Sequence, residues 1–355
     1  MDTPLGAKRK KDTAPEVDDF YRLGKELQNR SGSSIGAFLP EDRRFREFFG
    51  IGAYVALVLW NALLEYGVIP ESGLIIHMLW ALHWMKVYPK QHAGSAAAGG
   101  SGGAIDPKTW KKYYWPFVEA IALIEPFVVS LRLRVVYILY IFLFWHTLFN
   151  YVHATCLRVL KFYIFSCNPF TTTQIIFESR NEGCKNQNDC KLNVDGVDCP
   201  IPNHGPAFAS HKFNGKSAFR YELGTDIEKG ELAWLHGPFP AGYWPDVKIF
   251  RHALMQMLDE NERVEADDGY IGEAPGKVKC PMSFANPVEN LKMQQIVRNR
   301  HETVNGRMKN WEILRVMYRH DLSTHGTVFR AIAVITQLAI RNGEPLFPVD
   351  YKDPK

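Results

Sequence analysis

Twenty-three consecutive residues without an Asp, Glu, Lys or Arg, Val135–Leu157, limit what the middle of this 355-residue chain can be. A run of about 20 apolar residues is long enough to cross a bilayer core. Arg132, Arg134, Arg158 and Lys161 supply the positive flanks of such a span. The wider segment, residues 129–174, holds 11 aromatic residues and no acidic one. A second reading competes. The segment begins Val129-Ser130, which the splice-donor sequence GTAAGT encodes, and it ends at Gln174, for which the acceptor-like CAG is a codon. Its Phe, Tyr, Leu, Ile and Cys residues use largely T-rich codons, as a pyrimidine-rich intron would. Removing it joins Glu125-Pro126-Phe127-Val128 to Ile175-Ile176-Phe177-Glu178 as one amphipathic continuation. The reading adopted is a translated intron. A transmembrane-like helix over 135–157 and a buried or irregular insertion are the alternatives.

The rest of the composition is that of an ordinary folded chain with room for about two domains. Hydrophobic residues make 46% and charged residues 23% of the whole, which excludes a mainly disordered chain, a collagen or a disulfide mini-protein. A net charge of +4 excludes a histone-like polycation, so binding to a polyanion has to come from local clustering. The six cysteines form no Cys-x-x-Cys pair and are expected as reduced thiols. No apolar core of a signal peptide occurs in the first 30 residues. Lys8-Arg9-Lys10-Lys11 reads as a solvated tail or, more sharply, as a nuclear import signal. The expected location is the nucleus, with the membrane as the alternative.

Residues 1–40 read as a disordered basic arm, and 41–128 as a helical N-terminal region interrupted by a flexible Gly/Ala/Ser linker over 93–104. Asp106-Pro107 fits a helix start, with Asp as N-cap and Pro in the first turn. From 180 to 345 the pattern becomes mixed α/β, and 346–355 reads as a tail. Lys191–Asp195 alternates, with Leu192 and Val194 on one face and Asn193 and Asp195 on the other. Ala218–Leu223 and Glu231–Leu235 form an expected hairpin around Glu228-Lys229-Gly230. Pro245-Asp246 opens a helix, Arg263–Ala266 is a short strand, and residues 290–317 form a long helix. There Val297, His301, Val304, Met308 and Trp311 make a core-facing stripe, and Val328–Ile340 is a last apolar helix.

Three carboxylates stand out by position. Asp195 ends a strand, Asp267 follows another, and Glu302 lies in the long helix, with 34 residues between it and Asp267. On that helix Arg298, Glu302, Asn305 and Lys309 share one polar face. Phosphodiester cleavage develops charge on the attacking and the leaving oxygen, and two divalent ions about 3.5–4 Å apart stabilise both. Mg²⁺ binds through a few carboxylates and keeps its other positions for water and substrate oxygens. Between Asn286 and His320 seven Lys/Arg face three Asp/Glu, a local field suited to phosphates. Against this, Asp195 can equally cap a turn with Gly196, Glu302 can be a surface partner of Arg298, and His301 reads as a packed core histidine.

Four motifs carry a resemblance. Asn193-Val194-Asp195-Gly196-Val197-Asp198, Pro245-Asp246-Val247-Lys248-Ile249-Phe250-Arg251, Ala266-Asp267-Asp268-Gly269-Tyr270-Ile271-Gly272 and Arg300–Lys309 (RHETVNGRMK) together resemble the DDE superfamily of endonucleases. The likeness is to the PIF/Harbinger-like transposases, algal transposase-like proteins above all, and it covers residues 180–345 well and 41–128 loosely. It implies an RNase H-like mixed sheet flanked by helices, and Mg²⁺- or Mn²⁺-dependent DNA cleavage followed by strand joining. Carried over, Asp195, Asp267 and Glu302 are the catalytic metal ligands and Asp246 supports them. Asp198 and Asp268 are the alternates in register, and Arg298, Arg300, Arg307 and Lys309 are the DNA contacts. The implied partner is DNA, with a separate DNA-binding protein and a homo-oligomer as further expectations, since no helix-turn-helix is legible in 41–128. The rival readings are a decayed or domesticated copy that binds DNA without turnover, and a membrane-anchored protein held through 135–157.

Overall fold

The computed structural model describes residues 14–30, 40–99, 103–129, 190–258, 260, 262–283 and 288–351. The insertion at 129–174, the basic run at 8–11, Cys156, Cys167 and Cys184 lie outside them, Val129 excepted. The chain divides into two compact units: Met1–Ile124 with Gly306–Pro345, and Glu125–Asn305 with Leu346–Lys355.

The first unit is helical: α1 (Val17–Arg30), α2 (Glu41–Phe49), α3 (Ala53–Glu65), α4 (Ile75–Val87), α5 (Gln91–Ala98) and α6 (Pro107–Leu123). The expected Asp106 cap is present, its carboxylate accepting from the Lys108 and Thr109 amides. Two expectations fail here. The arm is not unstructured over 17–30, because Phe20 and Leu27 recur on one face of α1 and are buried. Nor is 93–104 a linker throughout. Residues 93–98 belong to α5, where Gly94, Ser95 and Ala98 are buried. Gly94 is there because the Trp110 ring lies where a side chain would begin: a Cβ would meet it at 2.0 Å.

The second unit carries α7 (Glu125–Val128), β1 (Cys190–Pro200), β2 (Ala218–Asp226), β3 (Leu232–Pro240), α8 (Asp246–His252), α9 (Leu254–Met257), β4 (Arg263–Glu265), β5 (Val278–Lys279) and α10 (Val288–Lys309) up to Asn305. The five strands form one mixed sheet in the order β3-β2-β1-β4-β5. β2 runs antiparallel to β1 and β3, whereas β4 is parallel to β1 and to β5. The protein is thus mixed α/β with helices flanking the sheet. The alternation read in β1 holds: Leu192 and Val194 join Trp234, Phe250, Leu254, Val264 and Tyr270 in one core. Asn193 on the opposite face is also buried and donates to the Glu265 carbonyl. The expected helix over 290–317 ends at Lys309; the stripe Val297, His301, Val304 and Met308 on α10 is buried, as is Trp311 beyond its end, and His301 meets Thr225 Oγ1 at 3.2 Å.

Domain limits differ from the expected 180–345. After α10 and the short α11 (Glu312–Arg315), α12 (His325–Arg341) packs on α6 and α3 in the first unit, because its residues are buried nearly all round. The expected tail is tied down too: Tyr351 is buried and donates to the Glu265 carboxylate. Cys190, Cys199 and Cys280 are buried and not in disulfides. Among the described residues, no single helix is long and apolar enough to cross a membrane.

Gly→Ala inside a helix ordinarily stabilises by about 1 kcal/mol. Gly94→Ala is expected to do the opposite, lowering stability by about 1–3 kcal/mol through overpacking against Trp110. Thermal melts of the two proteins check the sign, and a stabilised variant would restore the linker reading.

Candidate active site

β1 and β4 are parallel neighbours, with Asn193 opposite Glu265. Asp195 and Asp267 each lie two residues beyond that pair: Asp267 just past the end of β4, and Asp195 within β1, which does not end there as expected but runs on to Pro200 beside β2. Asp267 caps the turn after β4, its Oδ1 accepting from the Gly269 amide at 2.9 Å. Asp195 Oδ1 accepts from the Gly196 amide at 2.7 Å, and Asp195 Oδ2 accepts from Asn305 Nδ2 of α10 at 2.9 Å. Asp246, first residue of α8, leans over the Gly196 backbone so closely that a Cβ there would meet its Oδ1 at 2.0 Å. A side chain at 196 would displace the Asp246 carboxylate.

Three carboxylates thus share one neighbourhood: Asp195, Asp246 and Asp267. Burial pushes the Asp246 carboxyl up to about 6, with the Asp195 and Asp267 charges adding to the rise and Arg220 and Lys212 opposing it. The balancing cations are specific. Arg220, on β2, is buried and makes a forked pair with Asp198 at 2.7 and 2.9 Å, while its third nitrogen lies 3.4 Å from Asp246 Oδ1. Asp246 Oδ1 accepts no hydrogen bond. Lys212, from the loop after β1, donates to the Gly196 carbonyl at 2.6 Å and lies 3.9 Å from Asp195 Oδ1.

The expected residues fare differently. Asp195 and Asp267 come together, and Asp246 joins them as more than a helix cap. Glu302 is exposed on α10, one helical turn before Asn305. Residues i and i+3 share a helix face, so Glu302 lies on the side from which Asn305 reaches Asp195. Among the described residues, no group of three His, Cys, Asp or Glu is already close enough to hold one ion. Asp198 is not an alternate ligand: it is fully buried, where burial raises its pKa but Arg220 and Ser210 outweigh that and hold it low. Asp268 is exposed and accepts from the Met282 amide. Arg300 is not a DNA contact, because it is buried and its guanidinium donates to the Asp226, Ile227 and Glu228 carbonyls, fastening the β2–β3 turn. Arg307 likewise donates to the Glu344 and Pro345 carbonyls. Arg298 and Lys309 are half-buried.

Sequence reading missed Arg220 and Glu222 as site supports. Their signal was two opposite charges at i and i+2 on one face of a strand. Glu222 is fully buried, and Trp234 Nε1 donates to its Oε2 at 2.8 Å. Burial pushes its carboxyl up to about 8, against that donated hydrogen bond and with the Asp246 charge adding to the rise. No family model matches the chain, and neither the curated proteins nor the solved structures contain a match to it.

The Glu222 shift has a definite sign. The folded state holds this proton to about pH 8, whereas the unfolded chain releases it near the ordinary glutamate value of about 4.3. Its contribution is therefore fully present below pH ~4 and is lost as pH rises towards 8, at up to about 1.4 kcal/mol per unit. Glu222→Gln keeps an acceptor for Trp234 and cannot ionise. Its stability advantage over the native chain should widen from pH 5 to pH 8 and then level off in denaturant titrations; a constant difference would show an ordinary carboxyl.

Proposed function

We propose that the second unit is an RNase H-like nuclease domain of the DDE type, cutting phosphodiester bonds in DNA and joining strands as a transposase does. The observation that carries this reading is the placement of Asp195 and Asp267 two residues past the Asn193–Glu265 pair of adjacent parallel strands. The strand order β3-β2-β1-β4-β5, with β2 alone reversed, supports the fold half of the reading.

The donors suit Mg²⁺ or Mn²⁺: they are hard carboxylate oxygens, and Asp246 Oδ1 is buried without a hydrogen bond. Asp195, Asp267 and Glu302 would hold the two divalent ions, with Asp246 beside them. Such ions supply Lewis-acid stabilisation of the leaving oxygen and a water of lowered pKa. Asn305 fixes the rotamer of Asp195 through its amide. Arg220 holds Asp246 at the site while neutralising Asp198. Lys212, half-exposed beside Asp195, would offer its ammonium to a phosphate oxygen of bound DNA.

The exposed position of Glu302 favours one rival, a domesticated copy that binds DNA without cutting it. A nicking assay on supercoiled DNA separates the two. The enzyme reading expects cleavage with Mg²⁺ or Mn²⁺, none with EDTA, and at least a hundredfold loss in Asp195→Asn, Asp267→Asn and Glu302→Gln with DNA binding kept. Mn²⁺ should also raise the melting temperature of the native chain and not of Asp195→Asn. No nicking by folded protein under any metal would leave the binding protein standing.

A further inference from the structure

The helical unit carries a positive groove that its fold does not explain. Lys108, Lys111 and Lys112 lie at i, i+3 and i+4 on α6 and are all exposed. With Gln91, Trp115 and Pro116 they line a cavity of about 500 Å³. Cations are misplaced here. The amino end of a helix carries a partial positive charge, so Lys108 in the first turn is opposed by about 0.3–1 kcal/mol. Like charges at i,i+3 and i,i+4 add a few tenths of a kcal/mol each. The first turn contains no acidic residue to compensate. Asp106 is occupied by backbone amides, and Glu119 by Trp115 Nε1 at 2.7 Å. Among the described residues, none of the three lysines forms an ion pair. The field reaches further along the unit: His320 is pushed down to about 4 by burial, with the Lys111 and Arg319 charges adding to the drop. Asp321 is the acidic group that feels Lys111, and it accepts from the Ser323 amide.

Charge arranged against the stability of its own helix is explained by an anionic ligand. We propose that this groove binds the phosphate backbone of duplex DNA, giving the helical unit a contact of its own, separate from the acidic site. Three ammonium groups span about 6 Å of helix axis, a length over which each DNA strand presents about two phosphates. Beside the lysines the Trp115 ring is held in place by Glu119, whose carboxylate accepts from the indole Nε1. Phosphate contacts of this kind position DNA and carry no sequence information.

The test is the salt dependence of duplex binding by the full chain, measured by fluorescence anisotropy. Each phosphate contact contributes about −0.9 to the slope of log K against log salt. Lys108→Gln/Lys111→Gln/Lys112→Gln should reduce that slope by about 2–3, and the corresponding Arg triple should keep it. The lysine groove rests on the DNA reading of the proposed function but fails separately from it: the groove by an unchanged slope in the Gln triple, the nuclease reading by absence of Mg²⁺- or Mn²⁺-dependent nicking. An unchanged slope in a Gln triple that melts like the native chain overturns the proposal. So does loss of binding to anionic phosphatidylserine vesicles with duplex binding intact, which would assign the lysines to a membrane.

Discussion

Arg220 is the interaction on which the sheet's polar end depends. One buried guanidinium on β2 neutralises Asp198 on β1 and reaches Asp246 at the start of α8, while Ser210 in the intervening loop donates to the same Asp198. Four segments distant in sequence are thereby fixed to one another. Removing one partner of such a buried pair leaves an uncompensated charge, at a cost of about 3–5 kcal/mol. The arrangement also explains why Asp198 and Asp246, both inside resembling motifs, play different parts. Asp198 has both oxygens satisfied by the fork, whereas Asp246 keeps an oxygen that accepts no hydrogen bond.

The helical unit follows a different rule, close approach rather than charge. Its α4 is buried almost all round, and its aromatic rings stack at short range, as Trp84 on Tyr114 and His77 on Tyr113 do. Backbones can come near such bulky rings only where a side chain is missing. Gly94 against Trp110 and Gly50 against Trp311 are two such places, and Gly50 adds the left-handed conformation that ends α2. A glycine-rich stretch therefore reads in two opposite ways. Its composition is that of a flexible linker, but its partners decide, and Trp110 lies sixteen residues beyond Gly94.

That contrast marks how much was legible. Period-two alternation located β1 and the β2–β3 hairpin, because one face of each strand meets a continuous apolar core. The stripe Val297–Met308 located α10 for the same reason, though the helix ends at Lys309, short of Trp311 and of the expected 317. Capping chemistry located α6, since Asp106 and Pro107 act within three residues. What failed depended on distant partners: the ordering of α1 by Phe20 and Leu27, the docking of α12 on α6, and the capture of Tyr351 by Glu265. At the site, Asp267 was legible because it follows the end of β4, whereas Asp195, read as ending a strand, lies inside β1, which continues to Pro200. Arg300 was misread because a basic residue on a polar helix face and one turned onto the carbonyls of a hairpin look alike in sequence. Lys212 and Arg220 carried only the weak signal of charge inside or beside a strand.

Charge balance connects this fold to the proposed chemistry. Burial raises the Asp246 carboxyl, and repulsion from Asp195 and Asp267 adds a smaller part of the rise. The opposing cations are unequal. Arg220 is buried and committed to Asp198, so its position cannot follow events at the site. Lys212 is about half exposed on a flexible stem and holds a backbone carbonyl more closely than it holds Asp195. The carboxylates are thus balanced by one buried cation committed elsewhere and one half-exposed cation beside Asp195. In this arrangement Arg220, which ties β2 to β1 and α8, also sets the charge balance around Asp246 beside Gly196.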